Sequence, residues 1–288
     1  MKLIVYLIFL FLKRVIPLLP PGILRKTVKL KSYFFYYMLQ IRKRTAGLNL
    51  KFAFPNLSGR EISRIIRLSY YNILMTITEF FYMRKFTDDE LRKQVKIVNI
   101  DLIKEKLRDN KGLILLSAHY GNWELTAYAV SRLCGVPFNI VVKQQSNRRL
   151  DREINLIRTS GGNKIIDMKN IREMIRCISG NGIVAMLGDQ HTHSSHVTAV
   201  FFGHDVPFFE GAGRIASATG SPVLFGVSER QEDGTYYIYL HEIKANKSGI
   251  SPNSDITLQY ASLLEEYIRK NPSQWLWFHR RFKNYINY

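Results

Sequence analysis

The chain has 288 residues, 46% hydrophobic and 23% charged, which is ordinary for a globular protein and long enough for one large domain or two small ones. Its two cysteines, Cys134 and Cys177, sit in apolar helical contexts without metal or redox spacing, which excludes a disulfide framework and suits a reducing compartment. The net charge of +19 is uneven: residues 1–60 hold twelve Lys or Arg and no Asp or Glu, so the first fifth of the chain expects an anionic partner.

Leu3 to Leu12, LIVYLIFLFL, is followed by Lys13-Arg14 and by a second apolar run, Val15 to Leu24, that carries three prolines. That apolarity argues against nucleic acid and for anionic lipid headgroups. Ten helical residues reach only about half of a ~30 Å hydrocarbon core, so the segment predicts a partly inserted, interfacial anchor. It also has the outline of a signal peptide, but no small-residue cleavage site follows, and an uncleaved segment is expected. From Lys29 to Arg44 an aromatic block, Tyr33 to Leu39, lies between cations, a pattern that suits a membrane surface and a buried helix equally well. Pro55 to Ser58 reads as a turn, with a helix from about Glu61 to Met83.

After Thr87 apolar runs at Leu113 to Leu116, Phe138 to Val142, Ile183 to Leu187 and Val223 to Val227 alternate with helical stretches near Trp123 to Leu133, Arg149 to Thr159, Asn170 to Ile178 and Gly211 to Ala218. That alternation predicts a mostly parallel central sheet flanked by helices. Thr235 to His241 reads as an antiparallel or edge strand, and Asp255 to Lys270 as a final helix. Without a repeat or a linker after residue 45, the organisation is an N-terminal membrane-associating segment over 1–45 and one α/β domain over 46–288.

His119-Tyr120-Gly121-Asn122-Trp123-Glu124 begins where the Gly112 to Ser117 run ends, which puts a histidine at a strand tip five residues before a carboxylate. In this H-x4-E reading His119 takes a proton from an attacking hydroxyl while Glu124 fixes the imidazole tautomer. Local structure offers a second account: Asn122 as an N-cap and Glu124 at the positive end of a helix. Asp189 also follows directly on an apolar strand, and in open α/β sheets ligands sit at the carboxyl ends of strands.

The six residues, with Gly188-Asp189-Gln190 and Trp275-Leu276-Trp277-Phe278-His279-Arg280-Arg281-Phe282 in the same order, resemble the motifs of the bacterial late acyltransferases of lipid A assembly, within the larger lysophospholipid and glycerolipid acyltransferase group. The resemblance covers about residues 45 to 285. It implies a glycerolipid-acyltransferase-like fold and transfer of an acyl chain from an acyl carrier protein or coenzyme A thioester to a hydroxyl of a lipid A precursor or related glycolipid. It further implies no cofactor, and a bacterial inner membrane location with the α/β domain facing the cytoplasm. It makes His119 and Glu124 catalytic and adds Arg158 and Asp189. An arginine there could take a phosphate or an oxyanion, and Asp189 could fix such an arginine or a substrate hydroxyl. Trp275 and Trp277 are expected to be structural, and Arg280 or Arg281 to contact an anionic group at a rim. The alternatives are a lysophospholipid or other glycolipid acyltransferase, a membrane-bound thioesterase or hydrolase using the same dyad, and a non-catalytic lipid- or nucleic-acid-binding protein.

Two further patterns compete for attention. His191, His193 and His196 have H-x-H spacing suited to a metal, but the resemblance gives that segment a metal-free loop, and no metal is expected. Gly211-Ala212-Gly213-Arg214-Ile215-Ala216 imitates a dinucleotide fingerprint, but residues 202–207 read as a loop where the motif requires a strand, so small residues for close helix-to-sheet packing are expected instead.

Overall fold

A computed structural model describes residues 2–190, 195–244 and 251–288. Its centre is a seven-stranded sheet in the order β1-β9-β8-β2-β5-β3-β4, parallel at every pairing except β8 with β9. The strands are β1 (Val95–Val98), β2 (Leu113–Ser117), β3 (Phe138–Val142), β4 (Lys164–Asp167), β5 (Ile183–Leu187), β8 (Val223–Arg230) and β9 (Tyr236–Ile243), and β6 (His196–Phe201) with β7 (His204–Phe209) forms a separate antiparallel hairpin. The central strands are covered on both faces, which is why β2 (LILLS) and β5 (IVAML) read as continuous apolar runs. Leu113 to Leu116 are all buried, each contributing roughly 1.5–3 kcal/mol over an exposed position.

Short helices α5 (Asp88–Gln94) and α6 (Asp101–Leu107) precede and follow β1, and crossover helices α7 (Trp123–Cys134), α8 (Arg148–Arg158) and α9 (Ile171–Ser179) connect β2 to β3, β3 to β4 and β4 to β5. The last crossover brings the chain back, so that β5 enters between β3 and β2. That return is the topological switch point: β2 and β5 lie side by side with Ser117 opposite Leu187, and two further residues along each strand end stand His119 and Asp189.

β9 pairs antiparallel with β8 as expected, with β1 beyond it. Three differences from the sequence reading have physical reasons. β1 (VKIV) and the opposite edge, β4 (KIID), are four residues each, too short for a clear periodic signal. Residues 202–207 are not a loop: β6 and β7 turn through Phe202 (φ 55°) and Gly203 (φ 79°), and β7 begins at His204. Since β7 lies outside the parallel sheet, α10 (Gly211–Thr219) still lacks the βαβ setting of a dinucleotide site. Its small residues admit the final helix α11 (Pro252–Lys270) rather than the sheet, for a Cβ on Gly213 would stand 2.3 Å from the Asn253 carbonyl oxygen.

The N-terminal helices α1 (Lys2–Val15) and α2 (Pro21–Phe34) lie against the α/β domain, and α3 (Lys43–Ala53) leads into the long α4 (Gly59–Tyr82), opened by a Ser58–Glu61 capping box. Ile16 and Leu24 enter the core, Phe9 packs on Phe81 at 4.9 Å, and Lys13 pairs with Glu153 at 2.5 Å. The other face of α1 exposes Leu3, Ile4, Leu7, Ile8 and Phe11. Among the described residues no helix is long and apolar enough to cross a membrane. The cysteines are free.

Candidate active site

His119 leaves the end of β2 in a tightly specified turn. Gly121 has φ +61° and a Cβ there would stand 1.8 Å from the Ser228 carbonyl oxygen, so only glycine fits. Asn122 then caps α7, its Oδ1 accepting from the Leu125 amide at 3.0 Å. The Asn122 amide donates to Ser228 Oγ, and its side-chain amide donates to Glu79 at 2.8 Å. Glu79 is also gripped by both terminal nitrogens of buried Arg230 at 2.8 Å and by the Tyr236 hydroxyl. The turn that presents His119 is therefore anchored to α4, β8 and β9.

The terminal motif closes over this turn. Tyr120 bridges Trp275 in antiparallel fashion, the Leu276 amide donates to the His119 carbonyl at 3.0 Å, and the Gly121 amide donates to the Gln274 carbonyl at 2.9 Å. Trp275 and Trp277 are buried, as their expected structural role requires. Trp275 does more than pack: its Nε1–H donates to Asp189 Oδ2 at 2.9 Å.

Asp189, 3% exposed, is the acid that meets the imidazole. Its Oδ1 lies 2.7 Å from His119 Nδ1, and its Oδ2 accepts from the His119 backbone amide at 3.0 Å as well as from Trp275. Burial alone would raise this carboxyl, but the charge of His119 and these three hydrogen bonds outweigh it and hold it below the ordinary aspartate value. An ionised Asp189 only accepts, so in the neutral form of the imidazole Nδ1 carries the proton and Nε2 presents a lone pair, to which the Gln190 side-chain amide donates at 3.2 Å. Trp123 lies against the imidazole, ring centroids 4.9 Å apart.

Glu124 therefore does not hold the histidine. Its carboxylate is taken by Arg158 in a two-pronged pair, Nε to Oε2 at 3.0 Å and Nη2 to Oε1 at 2.5 Å. The reason is geometric: Glu124 begins α7 and faces the end of α8, whereas the register of β2 and β5 delivers Asp189 to Nδ1. Burial would lower the Arg158 guanidinium, but Glu124 and, further off, Asp151 raise it above its ordinary value. Asp189 in turn binds no arginine among the described residues.

Of the two terminal arginines, Arg281 departs from the expected rim. Arg280 is exposed, its guanidinium 5.8 Å from the Tyr288 ring. Arg281 is 1% exposed, stands over the Phe208 ring at 4.2 Å, and its nitrogens have no hydrogen-bond partner among the described residues. Burial pulls it down to about 10, with Asp189 acting in the opposite direction. His279, whose buried Nδ1 is likewise unpartnered, is pulled down to about 4 by burial. His191 and His193 of the metal pattern lie outside the described residues, and among the described ones no three His, Cys, Asp or Glu are placed to hold a metal ion.

A histidine backed by a buried carboxylate has the chemistry of a base, and an arginine fork that of an anion-binding group. A family model described as bacterial lipid A biosynthesis acyltransferase matches residues 1–284. The chain belongs to this family. As a lipid A biosynthesis acyltransferase by family, it is an enzyme of acyl transfer. Relatives include the lipid A biosynthesis palmitoleoyltransferase of Escherichia coli K12, 24% identical over 248 residues, 85% of this chain and 80% of the relative. The lipid A biosynthesis acyltransferase of Haemophilus influenzae is 26% identical over 260 residues, 85% of this chain and 79% of the relative. The lipid A biosynthesis lauroyltransferase of E. coli K12 is 23% identical over 253 residues, 85% and 81%.

Sequence reasoning did not assign Asp189 to the histidine, and it named none of Trp123, Gln190 and Trp275, which touch the His119–Asp189 pair, as a site residue. A signal existed for Trp275, because a buried indole N–H needs an acceptor. None existed for Gln190 beyond its adjacency to Asp189.

Proposed function

We propose that this acyltransferase moves a fatty acyl chain from an acyl carrier protein or coenzyme A thioester to a hydroxyl of a lipid A precursor or a related glycolipid, at the cytoplasmic face of the inner membrane. The observation that carries the reading is the His119 imidazole, clamped through Nδ1 by ionised Asp189 with Nε2 turned away from that carboxylate toward the Gln190 side chain. The family, the names of the relatives, the basic first sixty residues and the exposed apolar face of α1 support the acceptor and the location.

The acceptor hydroxyl takes the place of the Gln190 amide at Nε2. As its oxygen attacks the thioester carbonyl, Nε2 receives the proton, and Asp189 stabilises the imidazolium. The tetrahedral oxyanion forms beside the positive end of α7 and the Arg158 fork, which Glu124 holds in orientation. Collapse breaks the carbon–sulfur bond, the thiolate takes the proton back from Nε2, and ester and thiol leave. The step is a direct transfer, and no serine or cysteine acts as nucleophile. Glu124 thus serves by fixing Arg158.

The test is incubation of the purified protein with acyl carrier protein or coenzyme A thioesters and an under-acylated lipid A precursor, beside His119→Ala, with products read by mass spectrometry. A product one acyl chain heavier, absent from the variant, is expected. Free fatty acid as the sole product would replace this reading by hydrolysis.

A further inference from the structure

Away from the histidine, the first turns of α4 form one wall of an open cleft of about 650 Å³. Arg60, Arg64 and Arg67 line it, spaced so that they share one helix face, together with Ser63, Tyr36 and Tyr37, and among the described residues no acid lines it. Glu61, the carboxylate nearest in sequence, is held by the Ser58 amide and hydroxyl.

Beside the cleft the chain makes an apolar knob. α2 runs into a wide π turn, Phe35–Leu39, which ends at Gln40 in the left-handed region. Phe34, Tyr37, Met38, Leu39 and Ile41 all stand about half exposed or more, Met38 at 71%. Exposed Lys29, Lys31 and Arg44 flank them in sequence. A contiguous apolar patch of this kind, rimmed by cations, marks a binding surface. Its composition, aliphatic and aromatic side chains next to guanidinium groups, is that of a segment lying at a headgroup boundary.

The knob and the cleft adjoin the active site. Arg42 Nη1 donates to the Phe278 carbonyl at 3.2 Å, the Tyr70 hydroxyl donates to the Ile41 carbonyl at 2.7 Å, and Tyr70 packs on Phe278 at 4.5 Å. Further along the same helix, Ser69, Asn72 and Ile73 border a narrow crevice with Trp123, the residue against the His119 ring. Arg67 and Asn72 are five residues apart, about 7.5 Å of helix rise.

We propose that the arginine cleft and the 34–41 knob are a lipid dock: the knob seats among acyl chains at the bilayer surface while Arg60, Arg64 and Arg67 hold the phosphate of an anionic lipid. The inference deepens the proposed function, since it gives the glycolipid acceptor a place to be held on its way from the membrane to His119. Free phosphate would be served by the cations but would leave the knob uncovered, and an acidic protein surface has no use for so many exposed apolar side chains.

The test is co-sedimentation of the full chain with vesicles of phosphatidylcholine alone or mixed with phosphatidic acid, whose headgroup is a phosphomonoester. Wild type is expected to prefer the phosphatidic acid vesicles. The triple variant Arg60→Gln, Arg64→Gln, Arg67→Gln should lose at least tenfold of that binding, up to about a hundredfold at roughly fivefold per cation near the surface. The double variant Met38→Asp, Leu39→Asp should lose binding to both vesicle types, with unchanged melting temperature in each variant as the control for folding. Equal binding of wild type and the triple variant overturns the dock, as does displacement of the protein by inorganic phosphate at matched phosphate concentration. Loss of acyl carrier protein binding with vesicle binding intact would reassign the cleft to the carrier. His119→Ala should bind as wild type, so a failure of acyl transfer and a failure of the dock are read separately.

Discussion

Asp189→Asn should convert the histidine from base to bystander without disturbing the fold. Two donors converge on Oδ2, the His119 backbone amide at 3.0 Å and the Trp275 indole at 2.9 Å. In the variant the amide oxygen must occupy that position to satisfy both, which leaves the NH2 group at the place of Oδ1, 2.7 Å from Nδ1. There it donates, so Nδ1 becomes the acceptor and the proton moves to Nε2, the atom that must accept from the substrate. The same tautomer inversion in a serine-protease triad costs about 10⁴-fold in kcat. A loss of about 10³–10⁴-fold is therefore expected here, or about 4–5 kcal/mol of transition-state stabilisation, in kcat rather than KM. Steady-state acyl transfer monitored by thiol release supplies the rate, and proton NMR supplies the cause: the downfield Nδ1–H resonance should be present in wild type and in Glu124→Gln and absent from Asp189→Asn. The reasoning is refuted if Asp189→Asn keeps more than about a tenth of kcat, or if Glu124→Gln is the variant that loses the resonance.

Three other outcomes follow from the scaffold. Glu79→Gln removes the carboxylate that pairs with buried Arg230 and loosens the Asn122 cap, so unfolding free energy should fall by about 3–5 kcal/mol with activity falling alongside, as measured by chemical denaturation and turnover. Gly121→Ala places a methyl carbon 1.8 Å from a carbonyl oxygen, and the variant should be inactive while its circular dichroism spectrum shows the α/β fold largely retained. His279 titrates near 4 when folded and near 6.5 when unfolded, so the unfolded chain binds the extra proton between those values. Its contribution to stability is therefore complete above pH 6.5 and lost as pH falls toward 4, and denaturation midpoints should depend less on pH across that window in His279→Asn than in wild type.

How much of this was legible depends on which interactions are local. The β2, β3, β5 and β8 runs and the helices between them declare themselves by apolar length and spacing, and His119 and Asp189 can both be placed at strand ends. The partner of the imidazole could not be read from spacing. Glu124 lies five residues from His119 and Asp189 seventy, and proximity in sequence favours the wrong acid. What decides is strand order, the return of β5 to lie beside β2, which no periodicity encodes. The edge strands β1 and β4 failed for want of length. The β6–β7 hairpin did carry a signal, Phe202-Gly203 between two β-rich runs, but Pro207 within the second run obscured it, as proline does on an unpaired edge.

The pairing that the fold selects suits the chemistry better than the one that spacing suggests. A carboxylate that stabilises an imidazolium must stay ionised in a dry place, and Asp189 does so because three donors surround it at 3% exposure. Glu124 has more open surroundings, with its side chain 16% exposed, and there it serves the arginine, whose five donors outnumber the two that the pair consumes. Each positive group thus has its own acid. In the proposed transfer a proton arriving on His119 is met by Asp189 without drawing charge away from Arg158, which has N–H groups beyond the two that Glu124 takes to offer the oxyanion. Had Glu124 held the histidine, Arg158 would lose its orienting partner as the base was engaged. Dividing the two acids between the two cations lets base and anion stabiliser act together.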